Sequence, residues 1–202
     1  MTLRQIINEP VKADNLIVFT FFLHLLFLTG ASAVPEGRFL FWMPINLTVE
    51  AFIMLRLILF WRRFSKSEPR RYNSLQMYWM LMGFSIFSIL PFVRMSYGTV
   101  AFWPLLIGTL LLFLLGHLLK EKVGEVFVNP RKIKQLVMWP TALAGIVLIG
   151  ITIMAVLRFQ SVDENVGIAV FLYMLGVFSI FVANPLSLSK ERIEKLIGDE
   201  EA

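Results

Sequence analysis

Long apolar runs without fixed charge constrain this chain more than any other feature. A helix needs roughly 20 residues, rising about 1.5 Å each, to cross some 30 Å of hydrocarbon. Six stretches approach that length: Leu16 to Val34, Phe39 to Trp61, Gln76 to Val93, Thr99 to Leu119, Leu136 to Leu157 and Val166 to Ala183. Five of them hold no Asp, Glu, Lys or Arg, and the second holds only Glu50 and Arg56. No part of the remaining chain is large enough to surround even one such run as a soluble core.

The pattern predicts an all-α, polytopic integral membrane protein. Six transmembrane helices form three hairpins in a single domain over residues 1–202, with no separate soluble domain and a cytoplasmic tail over 184–202. Composition agrees, because 16% of the residues are charged where a globular domain carries about 25%, and the mean hydropathy is +0.73. The first run leads straight into the second across Pro35-Glu36-Gly37-Arg38, as a retained helix does and a cleaved signal peptide does not.

Lysine and arginine give the orientation. Arg4 and Lys12 precede the first run. Arg62, Arg63, Lys66, Arg70 and Arg71 follow the second, Lys120, Lys122, Arg131, Lys132 and Lys134 the fourth, and Lys190, Arg192 and Lys195 the last. All of these fall on one side, whereas the opposite connections hold only Arg38, Arg94 and Arg158. The asymmetry predicts that both termini and the loops 62–75 and 120–135 are cytoplasmic, and that 35–38, 94–98 and 158–165 lie outside. The membrane is then the cytoplasmic (inner) membrane or an equivalent organellar one. Arg62, Arg63, Lys66, Arg70, Arg71, Arg131, Lys132 and Lys134 are expected to face anionic lipid at the cytoplasmic surface. On the same side a short helix is expected from Ser189, with an apolar stripe of Ile193, Leu196 and Ile197, while Lys120 to Gln135 reads either as a plain solvated loop or as a short interfacial helix.

The net charge of +5 is explained by these loops, and no nucleic-acid motif accompanies it. The absence of cysteine excludes disulfides, thiolate metal ligation and cysteine nucleophiles. The two histidines fall at different depths and no carboxylates cluster with them, so neither a bis-imidazole haem nor a metal cage is expected, and no cofactor is implied. Serines in the apolar runs have no adjacent base, which argues against an intramembrane serine protease.

Three ionisable side chains lie well inside spans: His24, Glu50 and Arg56. Such groups are costly in hydrocarbon unless neutralised, paired or wetted. Glu50 stands at the middle of the second span, Asn46 one turn before it on the same face, and the short first turn brings His24 to the same depth. Glu50, His24 and Asn46 are therefore the candidate polar, ion-coupling site, with His24 or Asn46 within hydrogen-bond reach of Glu50 and the carboxyl protonated or sharing a proton. A structural clasp between helices explains the same residues. Arg56, six positions from Glu50, lies on a different face and is expected to snorkel to the cytoplasmic headgroups.

One internal match stands out: Met80-Leu81, Phe84-Ser85-Ile86-Phe87 and Pro91 recur as Met174-Leu175, Phe178-Ser179-Ile180-Phe181 and Pro185. Three spans per half would invert one copy relative to the other, as in inverted-repeat transporters. Chains rich in Leu, Ile and Phe also produce such matches without duplication.

The expected function is that of a non-catalytic membrane-embedded subunit or scaffold of a larger membrane complex, in contact with lipid and with other membrane subunits. Its interior offers one polar cluster, and its surface is rich in aromatic groups, with nineteen Phe. A small transporter or channel working through Glu50 is the alternative, and an intramembrane enzyme or electron-transfer module the third option. No small-molecule substrate can be read from the residues.

Overall fold

A computed structural model of the chain describes residues 13–34, 36–128 and 164–198. They form helices without a strand: α1 Ile17–Ala33, α2 Phe39–Phe64, α3 Pro69–Met95, α4 Phe102–Leu118, α5 Lys120–Val128, α6 Glu164–Ala183 and α7 Lys190–Gly198, with a 3₁₀ turn, Asn184–Ser187, between the last two. The anticipated run Leu136 to Leu157, with Arg131, Lys132 and Lys134, lies outside the described residues.

Three described helices are long and apolar enough to cross a membrane: Phe39–Phe64, Pro69–Met95 and Val166–Ser187. A fourth is reached if α4 and α5, bent by 56°, count as one broken span. Six spans are not supported among the described residues, which leave out the run Leu136 to Leu157. Helix α1 is apolar but only 17 residues long, which at 1.5 Å per residue is about 26 Å. The apolar helices are consistent with a membrane location.

Helices α2 and α3 extend beyond the runs that announced them. The connection expected over 62–75 shrinks to Ser65–Glu68, because α2 runs on through Arg62 and Arg63 and α3 already begins at Pro69. The cause is local. Basic side chains suit a helix C-terminus, where free carbonyls gather negative charge, and proline suits a first helical position, where no N–H is needed. At the opposite end, Gly37 and Gly98 adopt φ of +79° and +78° in the two short turns, a conformation that side chains with a Cβ disfavour. The molecule thus has a basic end and a glycine-turn end.

The α4–α5 bend falls where the apolar run meets Lys120-Glu121-Lys122, and of the two readings of the loop after the fourth run its first part, Lys120–Val128, is helical. Helix α7 occupies the predicted tail position and touches α5 through Arg192 Nε and Glu121 Oε1, 3.6 Å apart. Pro44 lies inside α2.

Helix α3 is the hub. One side packs against α1 and α2 around Leu28, Ala31 and Phe87, and the other against α6 and α4 around Ile89, Val93, Tyr173, Val177 and Ile180. The α3–α6 approach is close: a Cβ on Gly176 would lie 2.9 Å from Ser85 O. Ser85 Oγ donates across the seam to Gly176 O at 2.8 Å. Small residues permit such contact between apolar helices, which have little hydrophobic incentive to associate in lipid.

Candidate functional site

The tight Gly37 turn makes α1 and α2 antiparallel neighbours, and α3 lies across both. Polar side chains bind these helices at three levels.

At the middle level, His24 Nε2 lies 2.8 Å from Met80 O and His24 Nδ1 lies 2.8 Å from Glu50 Oε2. Both side chains are essentially inaccessible, at 0% and 1% exposure. The carbonyl has no proton, so Nε2 must carry one and donate it. A single further proton then makes the Nδ1 to Oε2 bond. With that proton on nitrogen the pair is imidazolium and carboxylate; with it on oxygen both are neutral; either way the net charge is zero. The ring position is set sterically, since a Cβ on Gly83 would fall 2.2 Å from His24 Cε1. The Phe87 ring meets the imidazole edge to face at 5.9 Å. Glu50 Oε1 is buried with no hydrogen-bond partner among the described residues.

The level toward the glycine turns is organised by Arg94, which is buried in the last turn of α3. Its Nη2 donates to Asn46 Oδ1 at 2.7 Å, its Nη1 donates to Ala31 O at 2.9 Å, and its guanidinium lies 3.9 Å from the centre of the Trp42 ring. Asn46 Nδ2 in turn donates to Ser32 Oγ (2.8 Å), which donates to Leu28 O (2.7 Å). Among the described residues the charge is balanced without a carboxylate. Ala31 belongs to the last turn of α1, whose unsatisfied carbonyls carry the negative end of the helix dipole, and the indole face adds a cation–π contact.

At the basic end, the Gln76 amide closes the start of α1. With its oxygen toward the helix, it accepts from the backbone N–H groups of Leu16 (2.8 Å) and Ile17 (3.2 Å), while its nitrogen donates to Asp14 O and Tyr72 Oη. Asn73 Oδ1 accepts from the Asp14 N–H. These contacts satisfy donors that no helix start can satisfy internally.

His24 and Glu50 therefore meet as anticipated, whereas Asn46 does not reach Glu50. One helical turn carries it about 6 Å along the axis, where Ser32 and Arg94 take its amide. Arg94 had been assigned to a loop because the third apolar run ends at Val93, but α3 continues to Met95 and turns the guanidinium inward. The available signal was the need of the α1 C-terminus for donors, with Trp42 and Asn46 at matching depth. Arg56 does not pair with Glu50 and is exposed on α2.

Among the basic residues expected to face lipid, Arg62, Arg63 and Lys66 are exposed and Arg70 is half-buried. Arg71 is a correction: it turns inward and donates to the carbonyls of Ser187 (3.3 Å) and Leu188. Ser74 Oγ donates to Leu186 O beside it. The chain leaving α6 ends in carbonyls without intrahelical partners, and Arg71 supplies fixed donors to them.

The residues of the internal match occupy unlike settings. Ser85 bonds across to α6, while Ser179 bonds back to Leu175 O of its own helix. Among the described residues no group of three or more His, Asp or Glu converges as a metal-ion site. The chain matches no protein-family model, no curated protein and no solved structure.

Proposed function

We propose that this chain is a non-catalytic, membrane-embedded subunit or scaffold of a larger membrane complex. The observation that supports this reading is what the buried polar groups do. His24, Glu50, Asn46, Arg94, Gln76 and Ser85 each bond to a different helix or to its entering strand of chain, so the interior polarity fastens helices. A pathway for a hydrophilic solute needs polar groups that exchange partners with the solute at one depth. In the finer form of the proposal α1 and the run Leu136 to Leu157 also span, giving six, with both termini on the cytoplasmic side as the distribution of Lys and Arg suggests. Purification in mild detergent with native mass measurement tests the reading. A stoichiometric membrane partner is the expected result, and a solitary monomer that moves a solute in liposomes contradicts it.

A second reading, a small transporter or channel, is favoured by one specific observation. Glu50 Oε1 is a buried carboxyl oxygen with no partner among the described residues, so the His24–Glu50 pair has room for one additional proton. Ion or proton flux through liposomes that Glu50→Gln removes is the result this alternative requires.

A further inference from the structure

Arg56 is the one cation inside the six apolar runs, and its direction is informative. Side chains on a helix lean toward its N-terminus. For α2 that direction leads away from Arg62 and Arg63, deeper along the apolar face. Arg56 follows this rule: its guanidinium lies over the Phe52 ring, 5.2 Å from the centroid and one turn further from the basic end. Phe52 is braced on its other side by Trp79, with ring centroids 6.1 Å apart. At the level of Phe52 the charge is nine residues from Trp61, or about 13 Å, so in this rotamer it does not lie at a headgroup near Trp61.

Among the described residues the face of the Phe52 ring is all that the surroundings offer the charge. Phe52, Leu55 and Leu59 are about half exposed around the guanidinium. Among the described residues Arg56 forms no ion pair and no hydrogen bond. Glu50 is the only carboxylate in any of the six apolar runs, and it is buried against His24. The run Leu136 to Leu157 contains no Asp or Glu. An exposed charge at this depth on an apolar face is costly unless something outside the fold neutralises it.

We infer that the α2 face formed by Phe52, Leu55, Arg56 and Leu59 is the docking surface for a transmembrane helix of another protein that presents a carboxylate level with Phe52. The inference rests on the scaffold reading and names the chemistry of its partner. Apolar side chains on both helices exclude polar competitors, and the ion pair fixes depth and register, which apolar packing alone leaves loose.

The test uses the full chain, labelled at a cysteine introduced at Ser67, in phosphatidylcholine nanodiscs. The probe is a synthetic Leu/Ala transmembrane peptide with a single central Glu, compared with versions bearing Gln or Leu there, and association is read by energy transfer. The Glu peptide is expected to bind at least about tenfold more tightly than the Leu peptide. Arg56→Leu should remove that preference and Arg56→Lys should keep most of it. Equal binding of the Glu and Leu peptides, or a preference that survives Arg56→Leu, overturns the inference. So does an Arg56→Leu effect confined to retention of phosphatidylglycerol, read in a second set of nanodiscs doped with that lipid, which would make a lipid headgroup the occupant. If the peptides bind alike while the chain still purifies with a stoichiometric partner, this docking surface fails and the scaffold reading stands. A solitary, transporting monomer fails the scaffold reading whatever the peptides do.

Discussion

Arg94 donates to Asn46 across 2.7 Å, joining the last turn of α3 to the second turn of α2 through a buried cation that has no carboxylate partner among the described residues. Asn46 passes the connection to Ser32 of α1, and Arg94 itself reaches Ala31 O, so one guanidinium closes three helices. Arg94→Leu leaves Asn46 Oδ1 and Ala31 O without donors and should destabilise the fold by about 1–3 kcal/mol. Arg94→Lys retains the charge but not the forked geometry and should fall between the two. Thermal unfolding in mild detergent checks the order.

Gly83 gives the middle level its shape. Because an added Cβ would lie 2.2 Å from the imidazole, Gly83→Ala must displace His24 from Met80 O, from Glu50 or from both. Overpacking of this kind costs about 1–3 kcal/mol. The lowered Tm should be accompanied by a shift of the His24 ring resonances in a histidine-labelled sample. An unchanged spectrum would mean that the ring does not sit against α3.

The α3–α6 seam is the third prediction. Ser85→Ala removes a single interhelical hydrogen bond and should cost about 0.6 kcal/mol, the average for such bonds between membrane helices. Gly176→Leu inserts a side chain where Ser85 O and Ile89 already stand within 3 Å of a Cβ and should separate the helices. Crosslinking between cysteines introduced on α3 and α6 should persist in the first variant and disappear in the second.

Orientation is open to direct labelling, since the chain has no cysteine of its own. A cysteine introduced at Ser161 should react with an impermeant reagent in intact cells and one at Ser67 should not. Reaction at 67 alone would invert the topology.

How much of this was legible depends on which physics each feature obeys. The helices follow from apolar length, and the His24–Glu50 contact follows from equal depth on antiparallel neighbours, both of which can be counted along the chain. The ends were not countable. Arg62, Arg63 and Arg94 break the apolar runs, yet the backbone stays helical through them because long basic side chains are compatible with a helix C-terminus. Arg71 resembled the other basic residues of its loop until the 3₁₀ turn after α6 brought unpaired carbonyls beside it. Asn46 matched Glu50 in facing direction, but the choice of Ser32 and Arg94 as partners came from tertiary packing one turn away.

On the proposed scaffold reading, Glu50 holds α1 to α2 through His24. Glu50→Gln can still donate to His24 Nδ1, whereas Glu50→Leu leaves a buried imidazole nitrogen unpaired, at about 1–3 kcal/mol. The deciding measurement compares Tm, co-purifying partner and liposome proton flux for the wild type and both variants. Glu50→Gln should retain stability and assembly, Glu50→Leu should lose both, and none of the three proteins should conduct. A folded Glu50→Gln protein that has lost a proton flux present in the wild type would contradict the scaffold reading.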